Sequence, residues 1–470
     1  MTPASALGGE TAPAAYQFTA KLDIGGERSC TAALIEQQWL LTASSCFAEN
    51  PALGYNVAAG APKFKTTATI GRTDLTRDDG VVTDVVQLVP RNDRDLVLAK
   101  LAKPVPGVAP ASIAATAPVQ GEELQVAGYG RTKGEWVPDR LHSAAFTVGT
   151  VQDTSMGLAG KTADAVICKG DTGGPALRSV GGRYEIVGVN SRSWQGGCLG
   201  TDPSEARKGA VDTRVDDISS WIAGRLLIGQ DLIGAGDYNG DGVADLFTTD
   251  SSHELSVWTG KKGAAFNGPR VLTGDWNFAE TVSADFTGDG VADLVARDAK
   301  GNLYLWTGSK NGTFSRPKLL TDGWNFTQTT AGDFTGDGKT DLIARDANAD
   351  LFLWVGNGDG TFARSRKLTG DWNYTQTVAA DFTGDGVADL IARDTKGNLY
   401  LWTGSKNGTF SRPKLLTDGW NFTQTTAGDF TGDGKTDLIA KDETGAVYMW
   451  LWTGDGNGGF SRPTKIADGS

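Results

Sequence analysis

The chain has 470 residues, a formal net charge of -12, 39% hydrophobic residues and 14 tryptophans. This length and composition suffice for more than one packed domain. A net negative charge argues against binding nucleic acid through its phosphates, because that function needs a basic face. No apolar run approaches the roughly 20 residues that span a bilayer, so we expect neither a nucleic-acid partner nor membrane insertion.

The first half alternates short apolar runs with Gly, Pro, Asn and Asp turns, a pattern that predicts an all-β domain. These runs lie at 18–22, 81–88, 124–130 and 184–189. The segment from Val215 to Leu226 then puts Ile218, Trp221 and Ile222 on one face of a helix. The composition changes after this helix, so we predict one domain over 1–226 and a second over 227–470.

Three motifs in the first half resemble, in the right order, the catalytic motifs of the trypsin/chymotrypsin-like proteases. The first is Trp-Leu-Leu-Thr-Ala-Ser-Ser-Cys, in which Ser45 stands where the family has its histidine. The second is Asp-Arg-Asp-Leu-Val-Leu, in which Asp95 matches the family's buried aspartate. The third is Gly-Asp-Thr-Gly-Gly-Pro, in which Thr172 replaces the nucleophilic serine. The resemblance implies a chymotrypsin-like double β-barrel of six strands each.

A threonine hydroxyl acts as a nucleophile only when a base removes its proton. Ser45 supplies no such base, and the two histidines of the chain, His142 and His253, lie outside the three motifs. We therefore predict a pseudoprotease in which Ser45, Asp95 and Thr172 are the remnants of a triad. The alternative is a secreted protease that works through Thr172 with a different base.

The same resemblance implies two disulfides, Cys30 with Cys46 and Cys168 with Cys198. Such bridges persist in oxidising compartments, so we expect a secreted, extracellular protein. The alternative is a set of four reduced core thiols.

The resemblance also locates a substrate cleft, with Val166 at the pocket floor and Ser193 and Trp194 on the wall strand. Gln195 and Ala210 stand at wall positions that are usually glycine, so we expect a narrowed pocket. We predict that this cleft holds a segment of another secreted protein without cutting it, the alternative being an inert scaffold. The predicted lining residues are Val166, Lys169, Gly170, Ser193, Trp194 and Gln195.

From Ile228 onward the chain repeats itself five times, at a spacing of 48 residues. Each repeat carries a loop of the form Asp-Phe-Thr-Gly-Asp-Gly-Lys-Thr-Asp. Oxygen side chains at loop positions 1, 3, 5 and 9, with a carbonyl at position 7, make a cage suited to calcium. The alternative is a metal-free turn. The predicted ligands of up to five structural Ca²⁺ ions are Asp237, Asn239, Asp241, Asp245, Asp285, Thr287, Asp289, Asp293, Asp333, Thr335, Asp337, Asp341, Asp381, Thr383, Asp385, Asp389, Asp429, Thr431, Asp433 and Asp437.

These loops resemble the calcium loops of FG-GAP/VCBS-type repeats, which build β-propellers. Four short strands per repeat correspond to one blade, so we predict a five-bladed propeller. The segment from Ile228 to Gly236 resembles the part of the repeat that is missing beyond Ser470. We therefore expect the two ends of the propeller to complete one blade together.

Two sets of tryptophans recur in the repeats. We interpret Trp258, Trp306, Trp354, Trp402 and Trp452 as blade packing. The other set precedes an asparagine and an aromatic residue, a combination that can stack a sugar ring and bond its hydroxyls. The alternative is that this tryptophan fills a gap between blades while the asparagine caps a turn. The predicted carbohydrate-binding residues, in four sites, are Trp276, Asn277, Trp324, Asn325, Trp372, Asn373, Trp420 and Asn421.

The pairing of a degenerate trypsin-like domain with a lectin-like propeller resembles the lectin-bearing subunit of the umbrella toxin particles secreted by filamentous soil bacteria. This resemblance implies a non-catalytic protein that docks a partner protein and binds cell-surface glycans as part of an antibacterial toxin. The competing hypothesis is a secreted hydrolase that uses Thr172 and targets its substrate through a calcium-stabilised propeller.

Overall fold

The computed structural model describes residues 14–250, 253–442 and 448–468. The chain divides into two compact units between Ser219 and Ser220, and both units consist mainly of β-strands. The fold is therefore all-β, as the sequence predicts. Among the described residues, no helix is long and apolar enough to cross a membrane.

The first unit begins with a closed barrel. Its strands pair in the order β1-β2-β3-β6-β5-β4, and β4 returns to pair with β1. Alternating buried residues along β4 point into the barrel, as expected for strands with one apolar face. The strands are β1 Thr19–Ile24, β2 Arg28–Glu36, β3 Trp39–Thr42, β4 Thr66–Ile70, β5 Val81–Arg91 and β6 Leu96–Leu101.

A second barrel follows in the same unit. The pairing order is β11-β8-β9-β10-β13-β12, closed by pairing of β11 with β12, and β7 adds to β12 in parallel. Leu124, Phe146 and Met156 lie fully buried in its interior. The double barrel predicted from the protease resemblance is confirmed. The strands are β7 Ser112–Ile113, β8 Glu123–Gly128, β9 His142–Val151, β10 Ser155–Gly160, β11 Pro175–Val180, β12 Arg183–Ser193 and β13 Ala210–Arg214.

One α-helix, α1, spans Ser219–Leu227, and its start is later than the predicted Val215. Ile222 on this helix is 4% exposed. A Cβ added to Gly224 would lie 3.2 Å from the carbonyl oxygen of Ile466, so the helix packs closely on the last strand of the propeller. The structure therefore groups most of α1 with the second unit, whereas the sequence prediction assigned it to the first domain.

The second unit consists of five four-stranded antiparallel sheets, each formed by consecutive strands of the chain. In two of these blades a short hairpin precedes the outermost strand. The five-bladed propeller predicted from the repeats is confirmed. The first blade contains β14 Asp231–Gly236, β15 Asp245–Thr249, β16 Leu255–Trp258 and β19 Arg270–Thr273, with the hairpin β17 Gly260–Lys261 and β18 Ala265–Phe266. The second blade contains β20 Glu280–Ala284, β21 Asp293–Arg297, β22 Leu303–Trp306 and β23 Lys318–Thr321, and the third contains β24 Thr327–Gly332, β25 Asp341–Arg345, β26 Leu351–Trp354 and β27 Arg366–Thr369. The fourth blade contains β28 Gln376–Ala380, β29 Asp389–Arg393, β30 Leu399–Trp402 and β33 Lys414–Thr417, with the hairpin β31 Gly404–Ser405 and β32 Thr409–Phe410, and the fifth contains β34 Gln424–Gly428, β35 Asp437–Asp442, β36 Tyr448–Trp452 and β37 Thr464–Asp468.

The ring closes without a shared blade, so the predicted joint between the two ends of the propeller is wrong. Strand β14 pairs with β15 of its own repeat, and the last blade takes all four strands from residues 424–468. Closure comes instead from contacts between the first and last blades. The Leu232 amide donates to Gln424 Oε1 at 2.8 Å and the Ala244 amide donates to the Asp429 carbonyl at 2.9 Å.

A single substitution marks the closing joint in the sequence. Residues 301–346 and 397–442 are identical except that Arg345 is replaced by Lys441. Arg345 Nε donates to the Trp372 carbonyl at 2.8 Å, in the segment that leads to the next blade. Lys441 Nζ donates instead to the Gln230 carbonyl at 2.9 Å, so this position bonds the first blade at the joint.

Candidate functional site

The three residues predicted to match a protease triad, Ser45, Asp95 and Thr172, lie together in the first unit. Ser45 belongs to the short 3-10 helix Ser44–Cys46 after β3, Asp95 immediately precedes β6, and Thr172 lies in the loop before β11. All three line one cleft. The prediction that these positions share a site therefore agrees with the structure.

The carboxylate of Asp95 is 6% exposed and is bonded by serines. Its Oδ1 accepts the Ser45 amide at 2.8 Å, and its Oδ2 accepts Ser45 Oγ at 2.9 Å and Ser191 Oγ at 2.7 Å. Serine hydroxyls do not titrate near neutral pH, so neither Ser45 nor Ser191 can serve as a general base for Thr172.

Neither histidine of the chain lines this cleft. His142 begins β9 and is 8% exposed, and its burial lowers the pKa of the imidazole. His253 belongs to the second unit. The lining of the cleft among the described residues thus contains hydroxyls and the Asp95 carboxylate but no imidazole.

The nucleophile loop keeps a tight backbone arrangement. The Thr31 amide donates to the Thr172 carbonyl at 2.9 Å, and Thr31 Oγ1 donates to the Gly170 carbonyl at 2.8 Å. Gly170 has φ +99, and a Cβ there would lie 2.8 Å from the Gly130 Cα, so only glycine fits. The loop is therefore held by packing against the first barrel as well as by the Cys168–Cys198 disulfide.

Both disulfides implied by the protease resemblance are present. Cys30 bonds Cys46 and Cys168 bonds Cys198, and there are no free cysteines among the described residues. The second disulfide packs with Val166, which is 4% exposed. Two disulfides are consistent with an extracellular location.

The wall of the predicted pocket is shifted by two residues. Ser191, rather than Ser193, bonds Asp95, and Ser191 and Arg192 line the cleft. Ser193 Oγ donates to the Ile167 carbonyl at 2.5 Å, Trp194 stacks on Arg207, and Gln195 Oε1 accepts Arg131 Nη2 at 2.9 Å. Lys169 and Gly170 line this cleft, whereas Val166, Ser193, Trp194 and Gln195 are not among its lining residues.

The cleft itself is open, with a volume of about 1010 Å³. Its lining includes Trp136 and Val137, which are 62% and 68% exposed. The sequence motifs do not single out these two residues, although an apolar pair inside the turn-rich segment between β8 and β9 is a signal of a binding surface. The cleft is large enough for several side chains of a bound segment.

Two carboxyl groups of the first unit, Asp171 and Asp212, are buried. Asp171 accepts the Gly130 amide at 2.7 Å and the Cys168 amide at 2.9 Å, and burial raises its pKa to about 7 against these two bonds. Asp212 on β13 is 0% exposed, neither of its oxygens has a hydrogen-bond partner among the described residues, and burial raises its pKa well above the ordinary value.

We expect Asp212→Asn to raise the melting temperature of the first unit at pH 8 and to change it little at pH 4. A carboxyl whose pKa is higher in the folded than in the unfolded state favours folding below the unfolded pKa, and this contribution declines as the pH rises through the folded pKa. The asparagine side chain is neutral at every pH, so the variant avoids this loss, which amounts to about 1–3 kcal/mol of the free energy of unfolding at pH 8. Calorimetry at both pH values measures the difference. A lower melting temperature at pH 8 would show that Asp212 has a stabilising partner.

The repeated acidic loops of the propeller use their carboxylates as acceptors of backbone amides. In every loop the aspartate at position 1 accepts the amides of positions 4, 5 and 6 at 2.6–3.2 Å. Glycines with positive φ at positions 4 and 6, such as Gly240 and Gly242, let the loop wrap around it. The loops are therefore preformed around their first aspartate.

The aspartate at position 9 differs from the predicted cage. It is 0% exposed in all five loops, and Asp389 accepts the Phe382, Thr383 and Gly404 amides at 2.9, 2.9 and 2.7 Å. Across 14–250, 253–442 and 448–468, no three His, Cys, Asp or Glu side chains converge on a cation position. The oxygen side chains at positions 1, 3 and 5 are donor types that calcium prefers, and the carboxylates at positions 1 and 5 are separate from the buried position-9 network.

The tryptophans of the second set are buried between blades. Trp276, Trp324, Trp372 and Trp420 are 4–6% exposed, and the indole N–H of Trp276 donates to Thr281 Oγ1 at 2.9 Å. Each packs against the next blade, with the Trp276 and Trp306 ring centroids 4.8 Å apart. The predicted open stacking face is therefore wrong, since these rings fill the gap between blades, while Asn277, Asn325, Asn373 and Asn421 are exposed.

Pockets remain beside these buried rings. A pocket of about 530 Å³ between the first two blades is lined by Trp276, Phe278 and Trp306 together with Arg270 and Asp275. A second, of about 400 Å³ between the second and third blades, is lined by Trp324, Phe326, Trp354, Lys318, Thr361 and Ser365. Each pocket combines an aromatic wall with a polar rim, an arrangement typical of small-ligand sites.

Comparison with known proteins agrees with this architecture. The Trypsin family model matches residues 6–222, and the FG-GAP-like repeat model matches 237–296, 285–344, 333–392 and 381–440. The chain is 27% identical over 237 residues to "Transmembrane protease serine 9" of Rattus norvegicus, covering 46% of this chain but only 21% of that protein. It therefore spans about a fifth of the length of this relative.

Two further relatives match most of their own length. Identity is 27% over 215 residues to "Platelet-aggregating proteinase PA-BJ" of Bothrops jararaca, covering 41% of this chain and 82% of that protein. Identity is also 27% over 213 residues to "Thrombin-like enzyme leucurobin" of Bothrops leucurus, covering 41% of this chain and 84% of that protein. The chain thus contains a trypsin-like domain followed by FG-GAP-like repeats.

Proposed function

We propose that the chain is a secreted, non-catalytic binding protein. Its trypsin-like unit holds a segment of another secreted protein, and its propeller binds cell-surface carbohydrate. The observation that carries this proposal is the network at Asp95, whose oxygens are bonded by Ser45 and Ser191. A buried aspartate bonded in this way supports the fold and has no imidazole to orient.

Loss of the base removes a large part of any hydrolytic rate. Transfer of the nucleophile's proton to a positioned base contributes about 10²–10⁴-fold to such reactions. The Thr172 hydroxyl stays protonated at neutral pH without that help, so the cleft is expected to bind a peptide and release it intact. The open cleft with exposed Trp136 and Val137 supports retention of a binding role.

The pockets between blades support carbohydrate binding by the propeller. Aromatic walls contact the apolar face of a sugar, and polar rim groups such as Arg270 and Asp275 bond hydroxyls. Individual sites of this kind bind weakly. Several of them on one ring gain avidity when a cell surface presents many copies of the ligand.

We expect the chain to bind a defined subset of glycans on an array, with loss of signal when apolar rim residues become charged. Leu319 lines the pocket between the second and third blades and is 53% exposed, so Leu319→Asp adds a charge without opening the core. Val82 in the first unit is equally exposed, at 53%, and Val82→Asp is the matched control. Val271 lines the pocket between the first two blades and is 42% exposed. We expect Leu319→Asp with Val271→Asp to weaken binding about tenfold or more through lost avidity, and the control to leave it unchanged. An array that shows no glycan bound by the parent chain would contradict the carbohydrate role.

We also propose calcium binding by the five acidic loops. The residues that would hold the ion are those at positions 1, 3 and 5, for example Asp333, Thr335 and Asp337. A bound cation would neutralise neighbouring carboxylates and stabilise the loops. We expect EDTA to lower the melting temperature of the propeller and added Ca²⁺ to restore it. Identical melting curves with and without EDTA would count against these sites.

The combination of partner docking and surface recognition suits a component of a secreted antibacterial toxin particle, and we propose that role for the chain. The competing candidate is a secreted hydrolase acting through Thr172. The similarity to proteases of Bothrops jararaca and Rattus norvegicus favours that candidate, whereas the serine network at Asp95 favours the binding role.

A further inference from the structure

The cleft is lined by four basic residues although the chain as a whole carries a net charge of -12. These residues are Arg28, Arg131, Lys169 and Arg192. None of them forms an ion pair with a carboxylate in the part of the chain that the structure describes. The cleft is therefore a positively charged region on an acidic protein.

The carboxylates that line the described cleft do not offset this charge. They are Glu27, which is exposed, and Asp95, which is bonded by Ser45 and Ser191. Four positive side chains thus face two carboxylates, and one of the carboxylates is buried. A ligand that brings its own negative charges would complete this site.

The hydrogen bonds of the arginines go to neutral groups. Arg131 is 7% exposed, its Nη2 donates to Gln195 Oε1 at 2.9 Å, and its Nε has no partner among the described residues. Arg28 Nη1 donates to the Ala48 carbonyl at 2.6 Å. Burying a guanidinium without an anionic partner costs free energy, so an anion bound beside Arg131 would offset the cost of removing its charge from water.

An apolar contact surface adjoins these charges. Trp136 and Val137 are 62% and 68% exposed, and the Arg131 guanidinium carbon lies 5.3 Å from the Trp136 ring centroid. Exposed aromatic residues beside arginine are typical of the residues that contribute most binding energy in protein interfaces. The same cleft therefore offers both an apolar contact and an array of cations.

We propose that the segment bound in this cleft is an acidic peptide with at least one aromatic or large aliphatic side chain. Its apolar side chain contacts Trp136 and Val137, and its carboxylates face Arg131, Lys169 and Arg192. This inference rests on the proposed docking function and specifies the chemistry of the partner. The charge of the chain outside the cleft disfavours a nucleic acid, since a long polyanion would also meet the acidic surface.

Selection from a displayed library of random peptides tests the proposal on the full chain. The counter-selection uses Lys169→Glu with Arg192→Glu, two exposed residues of the cleft. The matched control is Lys103→Glu with Arg183→Glu, which are also exposed, lie outside the cleft and change the net charge equally. We expect the enriched peptides to be acidic and to contain an aromatic residue, with affinity lowered at least tenfold by the cleft variant and unchanged by the control.

The possible outcomes separate the charge inference from the docking function. If the enriched peptides are neutral or basic and no longer bind Trp136→Ala, the inference of an acidic peptide is overturned, but the proposal that the cleft binds a peptide stands. A single-stranded oligothymidylate that binds the chain more tightly than the selected peptides would also overturn it. Failure to enrich any peptide over the cleft variant would overturn both proposals.

Discussion

Replacing Asp389 with alanine should lower the free energy of unfolding of the propeller by about 3–5 kcal/mol. The carboxylate is 0% exposed and accepts three backbone amides, from Phe382, Thr383 and Gly404. Alanine would leave these buried amides without an acceptor, and hydrogen bonds to charged groups are each worth about 1.5–3 kcal/mol. Urea unfolding monitored by tryptophan fluorescence measures the change.

The matched control is Asp385→Ala in the same loop. Asp385 is exposed and its Oδ1 accepts only the Val387 amide, at 2.9 Å. Measured in excess EDTA, which removes any contribution of bound calcium, this variant should lose about 1 kcal/mol or less. Equal losses for the two variants would show that position 9 has no special structural role. Because each blade depends on its neighbours, we expect the Asp389 variant to weaken the whole ring.

The fold could be predicted because its signals are repeated and ordered. Aspartates from Asp237 to Asp429 recur at a fixed spacing, and three motifs around Ser45, Asp95 and Thr172 occur in one order. Each of these signals constrains a backbone path, so the double barrel and the propeller follow from local sequence. The disulfide pairs follow from the same resemblance.

The sequence alone does not determine which residues form the pocket wall, because two similar dipeptides could both match that position of the protease pattern. Ser191-Arg192 and Ser193-Trp194 both begin with serine, and the tryptophan of the second pair matches the protease pattern. The choice is made by the register of β12 on β13 and by the bond from Ser191 to Asp95, both of which are tertiary. Neither the strand register nor this hydrogen bond can be inferred from the spacing of residues in the sequence.

Burial of the repeated tryptophans is also a tertiary property. The Trp-Asn-aromatic sequence is compatible with an open sugar site or with packing between blades, and the interblade contact of Trp276 with Trp306 decides for packing. Likewise, aspartates at positions 1, 5 and 9 look equivalent in the sequence. The structure distinguishes them, since the ninth is buried among amides from two segments.

The largest functional effect that we expect is the absence of turnover by the trypsin-like unit. Under the proposed loss of the triad imidazole, only the contribution of the oxyanion hole and of substrate binding would remain, and no imidazole would accept the proton of the Thr172 hydroxyl. Ser193 Oγ bonds the Ile167 carbonyl at 2.5 Å, and Val166 is buried rather than lining the cleft.

Hydrolysis of a broad fluorogenic peptide set by the parent chain and by Thr172→Ala is the most direct test of a non-catalytic first unit. Both proteins are expected to release fluorophore at the rate of the buffer alone, and a serine-directed phosphonate should add no mass to the parent chain. Turnover by the parent chain that Thr172→Ala abolishes would contradict the account.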